Sequence, residues 1–291
     1  MRRITLGLAT LVATMAVAGV AVAATTTTVT EDDLGVTWGF VTESGAGGDG
    51  AIVHGPDEPP IGTGSAEFAV SDPADGLALS GAVFDGAVAL ADVDAWSYGT
   101  YRQTGGDAEA ISLQLNIDYD ATDTEDGWQG RLAFEPYYAA AVETGVWQTW
   151  DVLTQRGWWA TGSPGNSECP IDDPCTWDEV VGAFPDAVIR AEQALDGAPA
   201  LVNFKAGSGW SDFVGNVDGF TVTVAGETTE VNFQLTATVA TDKDACKDGG
   251  WQTLVDEDGD GFRNQGECVS TVASEGKSGG QGEAKGRGKN R

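Results

Sequence analysis

Apolar and polar residues alternate one by one along much of this chain. In "ISLQLNIDY", Ile111, Leu113, Leu115, Ile117 and Tyr119 interleave with Ser112, Gln114, Asn116 and Asp118. That period belongs to a strand with one face on a core and the other towards water. The stretches "GVTWGFV" (35–41), "AEFAV" (66–70), "RLAFEPYY" (131–138) and "DGFTVTVAG" (218–226) repeat it. Turn-forming runs such as "GAGGDG", "TGGD" and "DTEDG" separate them. Many short strands with few helical periods predict a mostly β fold, two packed antiparallel sheets forming a β-sandwich.

One short helix is predicted inside a loop of the sandwich. In "CTWDEVVGAFP", Thr176 and Glu179 form the T-x-x-E pattern of a capping box, and Pro185 stops the run. "AVIRAEQAL" (187–195) fits helix and strand equally well.

The pattern divides the chain into a sandwich over 29–234, a linker over 235–245, a small cysteine-containing module over 246–273 and a basic tail over 274–291. The tail carries too little apolar surface to fold. Ahead of these, Arg2 and Arg3 precede an apolar run from Ile4 to Val22, and "AVAA" follows. A charged start, an apolar middle and small residues at the end read as a signal peptide over 1–23. The expected protein is therefore secreted and extracellular. No later segment approaches the ~20 apolar residues of a membrane span.

Export changes the reading of the four cysteines from metal thiolates to disulfides. Three pairings are open, and proximity favours Cys169 with Cys175 and Cys246 with Cys268. No C-x-x-C is present and His54 is the single histidine, which argues against thiolate zinc. The formal charge of -30 repels nucleic acid and anionic membranes, so neither is an expected partner.

Aromatic residues crowd the region 137–177. Tyr137, Tyr138, Trp147, Trp150, Trp158 and Trp159 are the candidate ligand platform, since indole faces stack on the apolar faces of sugars; filling the core is the leading use of such large aromatics. Trp147 and Trp150 in one strand face opposite ways, and so do the adjacent Trp158 and Trp159. The expected partner is a glycan or a cell-envelope polymer. Hydrolysis of a glycan needs two carboxylates about one sugar bond, and Glu135, Asp151 and Asp178 lie nearest the aromatics. No G-x-S-x-G, H-E-x-x-H or P-loop occurs. The reading is a non-enzymatic binding protein, with a glycan hydrolase and an adhesive surface protein as alternatives.

A resemblance adds to this. "PPIGTGSAEFAV", "ADVDAWSYGTYR", "LQLNIDYD", "FEPYY", "WQTWDVL", "GWWAT", "CTWDEVVGAFPDA" and "GSGWSDFVGNVDGFTVTV" together resemble a secreted bacterial β-sandwich domain of unassigned function. In plan it is similar to jelly-roll carbohydrate-binding modules. It implies that Asp218, near the start of the last strand, faces a loop or a structural cation. "CKDGGW" and "FRNQGECV" resemble a short C-terminal module of secreted bacterial proteins with the pattern C-K-x-G-G-W…F-x-N-Q-G-x-C-V.

Within that module, "DEDGDGFRNQGE" (256–267) fits an EF-hand loop. Asp256, Asp258 and Asp260 fall at positions 1, 3 and 5, Gly261 at 6, Phe262 at 7 with its carbonyl, Asn264 at 9 and Glu267 at 12. Against it stand Arg263 at an apolar position, the glycines of "KDGGW" where a helix should enter, and the "FxNQG" that the resemblance carries without the acidic run. For it stand the crowded carboxylates, whose repulsion a cation relieves. A weak calcium loop and a solvated acidic turn both remain open.

Overall fold

The computed structural model describes residues 24–125, 127–190, 200–236, 238–256 and 261–278. The expected signal peptide (1–23), the tail from 279 onward, and Asp258 and Asp260 of the acidic loop lie outside the described residues.

In chain order the strands begin with β1 (Thr25–Val29), β2 (Trp38–Ser44), β3 (Asp49–His54), β4 (Gly64–Val70) and β5 (Gly76–Phe84). There follow β6 (Val88–Ala89), β7 (Val93–Thr104), β8 (Ser112–Asp118), β9 (Arg131–Phe134), β10 (Trp147–Asp151) and β11 (Trp158–Ala160). The last are β12 (Val188–Ile189), β13 (Ala200–Gly207), β14 (Phe213–Val224), β15 (Glu227–Phe233), β16 (Thr238–Val239) and β17 (Leu254–Val255). One sheet runs β1-β15-β14-β4-β3, with β7 against β14 and β10 against β7. The facing sheet runs β11-β9-β8-β13-β5-β2, with β12 beside β8 and β6 beside β12. Pairing is antiparallel except for β1 with β15, and β16 with β17.

The core lies between the sheets and is aromatic. Tyr98 of β7 meets Phe204 of β13 at 5.6 Å and Phe134 of β9 at 6.5 Å, and Trp96 of β7 meets Trp158 of β11 at 6.4 Å. Offset and edge-on contacts of this kind suit the ring quadrupoles. Gly81 leaves room for the Trp38 ring, since an added Cβ would lie 2.0 Å from it.

Strand β8 holds the expected register, but its polar face does not meet open water. Ser112, Gln114, Asn116 and Asp118 are all buried. Neighbouring polar side chains cover them: Arg131 donates to Asn116 Oδ1 and Gln114 Oε1, and Arg190 donates to Asp118 Oδ2 at 3.0 Å. A single-strand period reports which way a side chain points, not what stands over it.

Four α-helices are described: α1 (Pro136–Ala139), α2 (Gly165–Glu168), α3 (Trp177–Ala183) and α4 (Gln265–Ser278). Helix α3 is the predicted one. Thr176 Oγ1 accepts from the Glu179 N–H and the Glu179 carboxylate accepts from the Thr176 N–H, closing the capping box. Helix α4 was not expected. Its start is marked by "NQGE": Asn264 Oδ1 accepts from the Glu267 N–H at 3.0 Å, and Glu267 accepts from the Arg263 N–H at 2.7 Å. That capping signal was hidden inside the stretch that also fits a calcium loop. Of "AVIRAEQAL", Val188 and Ile189 are strand, and 191–199 lie outside the described residues.

Both expected disulfides form, Cys169–Cys175 and Cys246–Cys268. The second belongs to a small core of its own with Ala240, Phe262 and Val272. Among the described residues no helix is long and apolar enough to cross a membrane.

Candidate binding cleft on the outer face of one sheet

Strand alternation sends every second side chain of the β11-β9-β8-β13-β5-β2 sheet outward. Trp158 points into the core while Trp159, paired with Ala133, points out. On the same side stand Arg131 of β9, Gln114 of β8, Lys205 of β13 and Glu135, just beyond the end of β9. Glu43 joins them from β2, where the register with β5 shifts between Thr42 and Ser44. These groups floor an open cleft of about 570 Å³.

Aromatic side chains wall it: Trp128, Tyr137, Trp159 and Trp210. Trp128 is 51% exposed and Tyr137 37%, high values for such large apolar groups. Each is held from behind. The buried Asp118–Arg190 ion pair lets Arg190 also donate to the Gly127 carbonyl, and Gln129 accepts from the Tyr119 N–H at 2.8 Å, so Trp128 is pinned on both sides. Tyr137 rests on Tyr138 at 4.1 Å, whose hydroxyl donates to the Ile171 carbonyl. Trp210 packs on Phe213 at 4.7 Å.

The two carboxylates of the floor are held differently. Arg131 grips Glu43 with two hydrogen bonds, at 2.7 and 3.1 Å, and Lys205 Nζ stands 3.6 Å away. Burial pushes the Glu43 carboxyl up, but the Arg131 hydrogen bonds and charge, with Lys205, outweigh it and the net direction is down. Burial pushes Glu135 up to about 7; the Trp159 indole N–H and the charge of Lys205 pull the other way without cancelling it. Among the described residues Trp159 Nε1 meets no partner at good hydrogen-bonding geometry.

Of the residues singled out in the sequence, Tyr137, Trp159 and Glu135 reach this cleft, and Tyr138 supports it. Trp150 and Trp158 are corrected to core: they are 1% and 0% exposed, and their indole N–H groups donate to Thr100 and the Val152 carbonyl. No sugar can stack on a buried ring. Trp147 lies on the opposite sheet, against Tyr101, and donates to the Pro56 carbonyl at 2.8 Å. Asp151 also lies there, capping a turn through the Leu153 and Thr154 N–H groups, and Asp178 sits in the first turn of α3. Neither carboxylate shares a site with Glu135.

The sequence reading missed Trp128, Trp210, Glu43, Arg131, Lys205 and Gln114. Gln114 was legible as outward-facing; Trp128 sits beside the turn run "DTEDG", which reads only as a spacer.

Asp218 faces a loop: its carboxylate accepts from the Ile61 N–H at 3.0 Å and from the Phe233 N–H at 3.2 Å. Burial pushes it up to about 7 against those hydrogen bonds. Of the calcium-loop residues, Asp256, Phe262, Asn264 and Glu267 are described. Phe262 buries its ring in the module core. Among the described residues no group of three or more His, Cys, Asp or Glu is placed to hold a metal.

No protein-family model and no curated protein matches the chain. Among solved structures it is similar to the Family 11 carbohydrate-binding module from Clostridium thermocellum in complex with a β-1,3-1,4-mixed-linked tetrasaccharide. The identity is 12% and the TM-score 0.39, over 68% of this chain and 95% of that one. It is also similar to TmCBM61 in complex with β-1,4-galactotriose, at 11% identity and a TM-score of 0.28, over 64% of this chain and 88% of that one.

Proposed function

We propose that this protein is exported and binds a glycan chain in the cleft, without cleaving it. The observation that carries the reading is the set of four aromatic walls around a charged, hydrogen-bonding floor. Sites for polar organic ligands combine such apolar faces with a few placed polar groups, in clefts of roughly 300–1,000 Å³. An open cleft suits a stretch of polymer, with aromatic faces under the sugar rings and polar groups under the hydroxyls.

The floor is poorly equipped for hydrolysis. Two carboxylates must act about one bond, and the second one here, Glu43, has both oxygens engaged by Arg131.

Affinity electrophoresis through gels containing plant, fungal and bacterial polysaccharides tests the reading. Retardation is expected with at least one polymer, weakened about tenfold by Trp128→Ala or Tyr137→Ala, as the loss of a stacked aromatic implies. Absence of retardation across the panel would sink it. Release of reducing sugar from the retarding polymer, lost in Glu135→Gln, would favour a hydrolase instead.

The acidic loop of the C-terminal module is proposed to take calcium. Helix α4 starts at Gln265, position 10 of the loop template, and puts Glu267 in its first turn, where the last ligand of an EF-hand loop stands. Asp256, Asp258, Asp260, Asn264, Glu267 and the Phe262 carbonyl would hold the ion, which would supply charge neutralisation to a crowded acidic turn.

A further inference from the structure

The polar groups on the cleft floor fall into two sets by what they already hold. Arg131, Glu43 and Gln114 satisfy one another. Glu135, Lys205 and Trp159 form the other set. Lys205 Nζ comes no nearer to Glu43 than 3.6 Å, outside normal hydrogen-bond range. Among the described residues the Trp159 indole N–H meets no acceptor at good hydrogen-bond geometry. Both act on the Glu135 carboxyl, and all three groups line the same cleft. The Trp159 N–H thus leans on Glu135 from outside good hydrogen-bond geometry, and a donor so poorly matched gains from an acceptor brought by a ligand.

Charge narrows the ligand further. Two acids, Glu43 and Glu135, stand against two bases, Arg131 and Lys205, so the floor has no surplus cation. The whole chain carries -30, which repels polyanions before they reach the cleft. A neutral sugar meets both conditions. One hydroxyl can donate to the Glu135 carboxylate, and its neighbour can accept from the Lys205 ammonium and the Trp159 N–H.

Resting on the glycan-binding reading above, we propose that Glu135, Lys205 and Trp159 form a subsite that grips two neighbouring hydroxyls of one uncharged sugar ring. This subsite restricts the cleft to neutral glycans.

As an acceptor Glu135 must be ionised, which makes binding sensitive to pH near neutrality. The charged and titratable groups facing it are Lys205 on β13, Arg131 on β9, Glu43 on β2, Tyr137 and Tyr138 on α1, and Tyr98 in the core behind. Tyr98 and Tyr137 are pushed up, both chiefly by burial, and Glu43 is held down, so those three keep their charge state from pH 6 to 8. Glu135, at about 7, changes its own.

The test is calorimetric titration of the whole protein at pH 6 and pH 8 with a β-1,3-1,4-linked glucan tetrasaccharide, β-1,4-galactotriose and trigalacturonate. A neutral oligosaccharide is expected to bind about tenfold tighter at pH 8, the ratio of ionised Glu135 at the two values. Glu135→Gln should weaken binding at pH 8 about tenfold and remove the pH dependence. Lys205→Met, which leaves the carboxylate in place, should weaken binding at both pH values. Equal affinity at pH 6 and 8, undiminished binding by both variants, or trigalacturonate outbinding the neutral probes would overturn the subsite while leaving glycan binding standing. Failure of the wild-type protein to bind any glycan at either pH would remove the glycan reading itself, and the subsite with it.

Discussion

Glu135, half-buried, and Asp218, fully buried, are carboxyls on different sides of the molecule, and their environments oppose each other in kind. Glu135 faces a ligand cleft with an indole N–H and an ammonium nearby, whereas Asp218 is spent on backbone N–H groups that tie the 61 loop and β15 to β14. Both sit at about 7, above their ordinary carboxylate values. A group whose folded value is raised contributes stability that is complete below its unfolded value and lost as pH rises through its folded value. Thermal unfolding should therefore show a midpoint that falls between pH 5 and pH 8. Glu135→Gln removes one of the two contributions. Its stability relative to wild type should rise on going from pH 5 to pH 8, by on the order of 2 kcal/mol. A constant difference across that range would show that Glu135 ionises at its ordinary value. Asp218→Ala is a different experiment, because it orphans buried N–H groups of Ile61 and Phe233. A loss of about 2–4 kcal/mol in urea unfolding is expected, and a loss below about 0.5 kcal/mol would mean that water replaces the carboxylate.

Elements show why local signals were read with uneven success. Helix α3 was legible because its capping box and its proline stop lie within one short stretch. Helix α4 carried an equally local cap, Asn264 with Glu267, but the same residues also matched metal-ligand spacing. The two uses meet at Glu267, which caps the helix through one oxygen and stands at position 12 of the loop template. Calcium should raise the melting temperature of the module's transition in the full chain. The gain is ~1.4 kcal/mol when calcium is tenfold above its dissociation constant, and Asp256→Ala should abolish it. Sodium at equal ionic strength must not reproduce the rise, since screening alone also relaxes an acidic turn. The Cys246–Cys268 bridge closes the longer of the two loops, with a sequence separation of 22, around a core of few residues. Its reduction should unfold the module, at about 3 kcal/mol by chain entropy, while near-ultraviolet circular dichroism of the sandwich tryptophans persists.

At the scale of the whole molecule, two sheets share one aromatic core and leave one outer face to form the cleft. The sequence by itself determined the strand periods, the fold class, α3 and the divergence of neighbouring tryptophans, and its spacing favoured the two disulfides that form. All of these follow from residues close in the chain, whose spacing fixes which way side chains point. It could say that Trp147 and Trp150 face opposite ways, and Trp158 and Trp159 likewise. Only the tertiary structure decided that Trp150 and Trp158 are core, that Trp147 lies on the far sheet and that Trp159 looks into the cleft. The cleft floor draws Glu43 from β2, Gln114 from β8, Arg131 and Glu135 from β9 and its end, and Lys205 from β13. No spacing in the chain records that strands so far apart in sequence lie side by side. A strand's period reveals its two faces, but the partner strands decide which face becomes core and which becomes a site.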